Sequence, residues 1–200
     1  REARELGLGK ISGIGIAAFL CGGFIIDSGK IEEIPRIEFR YDIPKDWIFI
    51  LLRDTELDKG LNEEIEYKII NGIKPTPKER IEQMYSLLEK MKDSIKGEDI
   101  EGFGSSLTNF QYLVGLNFKE IQGGIFSHKK IDDLVKFLMK NGAHGAGQSS
   151  WGPTVYGLYL KDDLHIEKLR ENLSKNIEIK TVFANNYGYR LKPNLVKINT

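Results

Sequence analysis

The stretch Asn141-Gly142-Ala143-His144-Gly145-Ala146-Gly147-Gln148-Ser149-Ser150-Trp151-Gly152-Pro153-Thr154 carries the residue types most suited to chemistry in this chain. Glycines at Gly145 and Gly147 let successive backbone N–H groups converge on one point, which makes an anion nest. Gln148, Ser149 and Ser150 add neutral donors, and Trp151 adds an aromatic wall. The plain alternative is a glycine turn between helix and strand, capped by its serines. A second glycine cluster opens the chain, with Gly7, Gly9, Gly13 and Gly15 leading into an apolar helix. Ser12 is the expected N-cap of that helix. The free N–H groups of Gly13 and Gly15 would then face an anion at a helix N-terminus. Lys10 is either a point charge for the same anion or a solvated loop lysine.

Composition narrows the partners. Twenty-nine Lys and Arg balance 29 Asp and Glu in 200 residues, so the basic footprint of a general nucleic-acid binder is missing. One cysteine, Cys21, permits no internal disulfide and suits a reducing cytoplasm. The uncharged stretch 11–26 is shorter than the ~20 apolar residues that cross a bilayer, so no membrane partner is expected.

The elements that must position these residues read as alternating strands and helices, an α+β sandwich of sheet and helices. Phe24 to Asp27 and Ile37 to Tyr41 read as short strands, and Pro44 closes a first block near residue 45. Trp47 to Leu52 is an uninterrupted apolar run, the mark of a central strand. Thr76-Pro77-Lys78-Glu79 reads as a capping box with Thr76 at the N-cap. The spacing predicts helices over 77–96, 98–115, 129–141 and 163–174, with Gly142 ending the third. Strands are expected at 155–160 and 177–182. The glycine cluster between 142 and 154 reads as a loop.

Gly145-Ala146-Gly147-Gln148-Ser149-Ser150-Trp151-Gly152-Pro153-Thr154-Val155-Tyr156-Gly157 resembles the third motif of the GHMP kinase superfamily. The form is that of the archaeal beta-ribofuranosylaminobenzene (ribofuranosylphenol) 5′-phosphate synthases. Ser12 to Phe19 with Gly22 to Gly29 resembles the second motif of that branch, and Phe103-Gly104, Gln111, Gly115, Phe118 and Gln122-Gly123-Gly124 also look like it. The resemblance implies a GHMP kinase-like two-domain fold. Residues 1–45 would be part of an S5-like N-terminal α/β domain, and 46–200 a ferredoxin-like α+β domain. An N-terminal strand motif rich in Pro, Arg and His is expected ahead of residue 1. Gly7-Leu8-Gly9-Lys10-Ile11-Ser12 departs from the superfamily's ATP loop, which speaks against the alternative, an ATP-dependent small-molecule kinase.

The same resemblance implies a decarboxylating condensation of phosphoribosyl diphosphate with 4-hydroxybenzoate or 4-aminobenzoate, assisted by Mg²⁺, in methanopterin biosynthesis. On that reading Gly13 and Gly15, with Lys10 and Ser12, hold one phosphate group; Gly145, Gly147, Ser149 and Ser150 cradle the second. His144 donates to the diphosphate or acts as an acid, and His144, Gln148 and Ser149 are the candidates for direct participation. Gln122 and Gln148 are expected to donate to carboxylate or ribose oxygens. Trp151 and Phe24 are candidates for the benzoate wall. Asp27 is a weak candidate for Mg²⁺ or the ribose hydroxyls, and otherwise a turn carboxylate. Partners are these two substrates and the missing N-terminal segment, and a homodimer is compatible with the reading.

Overall fold

The computed structural model describes residues 13–28, 36–57 and 74–189. Contacts divide the chain into two compact units, one ending at Ile43 and taking in Asn185 onward, the other spanning Pro44–Ala184.

In the first unit, α1 (Gly13–Cys21) is followed by Gly22 and Gly23 at positive φ and then by a hairpin-like pair, β1 (Phe24–Asp27) antiparallel to β2 (Ile37–Tyr41). Residues 185–189, assigned by sequence to the second domain, pack here instead. The Gly23 N–H donates to the Asn185 carbonyl, Tyr189 N–H donates to the Phe19 carbonyl, and the Phe19 and Tyr189 rings stack at 4.9 Å. Arg40 donates to the Gly22 and Asn186 carbonyls, which fastens the returning segment to β2.

The second unit carries a four-stranded antiparallel sheet of β3 (Trp47–Asp54), β4 (Gly145–Gln148), β5 (Thr154–Leu160) and β6 (Ile177–Phe183), in the order β4-β5-β3-β6. Its helices are α2 (Lys78–Lys96), α3 (Ile100–Gln122), α4 (Lys129–Lys140) and α5 (Ile166–Glu171). β5 lies between β3 and β4, and β3 lies between β5 and β6. Each strand–helix–strand passage is therefore split by an inserted strand, the ferredoxin-like arrangement. The α2–α3 pair is an insertion between β3 and α4.

β3 reads as continuous hydrophobics because it is covered on both sides. Ile48, Ile50 and Leu52 stand opposite Tyr159, Gly157 and Val155, and with Ile131, Leu134, Val135 and Leu138 of α4 they form the main core. Trp47, of opposite parity, meets Phe103 of α3 at a centroid distance of 5.2 Å. Apolar positions of α4 recur at i, i+3, i+4 and i+7, so one stripe is buried and Lys129, Lys136 and Lys140 stay outside.

Several sequence expectations change. Thr76 does not cap α2: the helix begins at Lys78, and Pro77 occupies the cap position with no side-chain hydrogen bond. The first amide with a helical acceptor is that of Ile81, bound to the Pro77 carbonyl. α3 runs to Gln122 rather than 115, started by Asp99, whose side chain accepts from Gly102 N–H, and ended by Gly123 at φ 78°. α5 is shorter than expected, with a 3₁₀ turn over Lys161–Asp163 ahead of it. Gly142 does end α4, at φ 88°.

The largest change is at 145–148, expected as a loop and found as the fully buried strand β4. Its glycines serve packing: a Cβ on Gly145 would collide with the Gly104 carbonyl, and one on Gly104 would collide with the His144 carbonyl. Helix α3 thus lies backbone against backbone on β4. The Ala146 N–H donates to Thr108 Oγ1 of the same helix at 2.9 Å. Gly145→Ala should therefore lower the unfolding free energy by about 2–3 kcal/mol, the cost of overpacking a rigid contact. Chemical denaturation measures this, and a change below about 0.5 kcal/mol would show that the helix can move away freely.

Candidate functional site

The later turns of α3 present Gln111, Val114, Phe118 and Gln122 along one line, as positions three to four apart on a helix must. Facing them are the 123–126 segment and the turn after β4. Between these lies a cavity of about 280 Å³. That is near the low end of the roughly 300–1,000 Å³ of small-molecule sites, which suits a single ring. Trp151 and Phe118 form an aromatic wall, edge to face at 5.0 Å and 82°. Phe126 adds a third ring, and the polar lining is three carboxamides, Gln111, Gln122 and Gln148, with Ser150. Among the described residues, no charged side chain lines the cavity.

The carboxamides are not equivalent. Gln148, 7% exposed, spans two backbones: its Oε1 accepts from Ser127 N–H at 2.8 Å and its Nε2 donates to the Ser150 carbonyl at 2.7 Å. That bridge holds Ser150 at φ 52°, in the left-handed region disfavoured for serine. Gln122 donates from Nε2 to the Gly124 and Ile125 carbonyls, which uses both its amide hydrogens. The expected role of Gln122 as a donor to substrate is thereby corrected, because what it still offers is an acceptor oxygen. Gln111 has no hydrogen-bond partner among the described residues, and its Cγ meets Tyr156 Oη over Gly147, each within 3 Å of where a Gly147 Cβ would stand. Burial pushes the Tyr156 phenol up, so it stays a neutral group.

Of the residues singled out from sequence, the cavity gathers Gln122, Gln148, Ser150 and Trp151. Ser149 belongs to the same turn, its N–H on the Thr154 carbonyl and its own carbonyl taking the Gly152 N–H. Gly145 and Gly147 face Leu158 and Tyr156 in the sheet register, so the expected open nest of amides is a ladder strand. His144 lies at the far end of β4 from Gln148, about 13 Å along the strand at 3.3 Å per residue, with its N–H on the Leu158 carbonyl. It does not line the cavity. Phe24, packed edge to face on Phe39 at 6.2 Å, and Asp27 lie on β1 of the first unit, with Gly13 and Gly15 in α1. Lys10 and Ser12 lie outside the described residues. Among the described residues, no group of three or more His, Cys, Asp or Glu is placed to hold a metal ion, so Asp27 has no partners for a Mg²⁺ cage.

The fold and the cavity define a class. Residues 81–179 match the family of GHMP kinases C terminal domains, and the chain belongs to the GHMP kinase superfamily. Within it, the chain is 35% identical over 175 residues to a beta-ribofuranosylphenol 5′-phosphate synthase of Methanothermobacter thermautotrophicus, covering 78% of this chain and 52% of that protein. The synthase of the same name from Methanocaldococcus jannaschii is 31% identical over 214 residues, covering 94% and 61%. The chain thus spans a little over half the length of these relatives. Homoserine kinase from Cytophaga hutchinsonii shares the fold, with a TM-score of 0.66 at 15% identity over 94% of this chain and 56% of that one. No helix among the described residues is long and apolar enough to cross a membrane.

At the other end of the second unit is a polar cluster that sequence reasoning missed. Asp54, 1% exposed at the end of β3, accepts from Glu56 N–H at 2.9 Å and from Asn176 Nδ2 at 2.8 Å, and pairs with Lys130 Nζ at 3.0 Å. It ties β3 to the start of α4 and to the entry of β6. Burial works to raise its pKa, but the hydrogen bonds from Glu56, Lys130 and Asn176, with the Lys130 charge, hold it below the ordinary 3.8. A folded-state pKa below the unfolded one stabilises the fold above about pH 4, and that gain is lost as pH falls through the folded value. Asp54→Ala should cost about 2 kcal/mol at pH 7. The difference from the native protein should shrink below about pH 4. Unfolding curves at pH 7 and pH 3 check this; a difference independent of pH would contradict it.

Proposed function

We propose that the chain is part of an enzyme condensing phosphoribosyl diphosphate with 4-hydroxybenzoate or 4-aminobenzoate to a β-ribofuranosyl-arene 5′-phosphate. The observation that carries this reading is the 35% identity over 175 residues to a beta-ribofuranosylphenol 5′-phosphate synthase. The size of the cavity and its aromatic, uncharged lining support it, since they suit a single planar ring better than a nucleotide.

In the proposed step the ring carbon bearing the carboxylate forms a bond to ribosyl C1. The C1–oxygen bond to diphosphate breaks, and its electron pair leaves with the diphosphate. The ring–carboxylate bond then breaks, its pair restores the aromatic sextet, and carbon dioxide departs. Electrons balance with no external oxidant or reductant. The chain's contribution is to orient a ring and exclude water around it. Mg²⁺ would accompany the diphosphate, whose oxygens with water satisfy its octahedral demand. The reaction would belong to methanopterin biosynthesis and proceed in the cytoplasm.

Incubation of the full-length protein with phosphoribosyl diphosphate, Mg²⁺ and carboxyl-labelled 4-hydroxybenzoate should release labelled carbon dioxide and diphosphate in equal amounts. Absence of labelled carbon dioxide, or turnover of ATP with a phosphorylated product in its place, would overturn the reading.

A further inference from the structure

Resting on that reading, we infer that the α3 cavity is the acceptor subsite and that it takes the ring para-substituent first, with Gln111 as the residue that reads this substituent. Three observations carry the orientation. First, no charged side chain among the described residues lines the cavity, so a carboxylate inside would be desolvated without a counter-charge, a heavy cost. Second, two of the three carboxamides are committed: Gln122 spends both hydrogens on backbone carbonyls, and Gln148 is fixed between Ser127 and Ser150. Third, Gln111 has its carboxamide oxygen and both hydrogens without partners among the described residues. It stands at the sheet end of the cavity, against Gly147 of the buried strand β4.

A para hydroxyl both donates and accepts, and a free carboxamide complements both roles. A para amino group offers chiefly its hydrogens, which the Gln111 oxygen accepts. With the substituent at Gln111 and the ring along Trp151 and Phe118, the carboxylate-bearing carbon, opposite the substituent, faces out of the cavity. That is the carbon that must meet ribosyl C1. As it is alkylated, positive charge spreads onto the para heteroatom, whose proton the Gln111 oxygen holds, so the contact strengthens in the transition state. Gln111 is thus both a specificity residue and a stabiliser of developing charge.

Calorimetric titration of the full-length protein with phenol and with benzoate separates the two ends of the ring. Phenol should bind about tenfold more tightly than benzoate, the factor one buried hydrogen bond is worth. Gln111→Leu should remove that preference and leave benzoate affinity unchanged; Trp151→Leu should weaken both ligands. Benzoate binding as tightly as phenol, no phenol binding at millimolar concentration, or a preference that survives Gln111→Leu would each overturn the assignment. The comparison on unaltered protein decides the matter even if a variant fails to fold. A protein that releases carbon dioxide without preferring phenol would refute the subsite and leave the reaction standing. One that prefers phenol without releasing carbon dioxide would do the reverse.

Discussion

Helix α3 rests on strand β4 through backbone alone, and much of the second unit follows from that approach. Gly104 and Gly145 each lack the Cβ that would strike the other's chain, and Ala146 N–H closes on Thr108 Oγ1. An edge strand would otherwise leave its outer amides to solvent or to another chain. The same contact fixes the axis of α3 relative to the turn after β4. Gln111, Phe118 and Gln122, one to three helical turns further on, must then pass opposite Gln148, Ser150 and Trp151. The cavity is the space left where helix and turn diverge.

Polar groups around that space are divided between construction and use. Gln148 holds a strained turn, with Ser150 at positive φ, by joining two backbones. Gln122 closes the end of α3 on the 124–125 carbonyls. Neutral bridges do this without bringing a charge that would require desolvation. Gln111 and the Ser150 hydroxyl remain uncommitted among the described residues, and a ligand can engage them. The charged cluster of Asp54 and Lys130 serves the opposite end of the sheet, where it ties three chain segments together away from the cavity.

Much of this was legible in sequence wherever periodicity is strong. α2, α4 and β3 follow from apolar spacing, and the motif 145–157 pointed to the superfamily. Trp151, Gln122, Gln148 and Ser150 were singled out and lie together, while Gln111 and Phe118 entered only through the family resemblance. β4 was not legible, because Gly-Ala-Gly-Gln has almost no β propensity; it is a strand because α3 and β5 enclose it. Gly115 suggested a helix end, yet α3 continues because that glycine lets the Ile125 carbonyl approach. His144 looked like a partner of Gln148, but four residues of extended chain separate them. Asp54, Lys130 and Asn176 come from segments far apart in sequence, so no local pattern announces their cluster.

The central claim is that the cavity beside α3 receives an aromatic acid by its uncharged end. A crystal structure of the full-length protein soaked with 4-hydroxybenzoate tests it most directly. The account predicts the ring against Trp151 and Phe118, the hydroxyl on Gln111, and the carboxylate outside the cavity. A carboxylate seated on Gln111, or a ring bound away from α3, would contradict it.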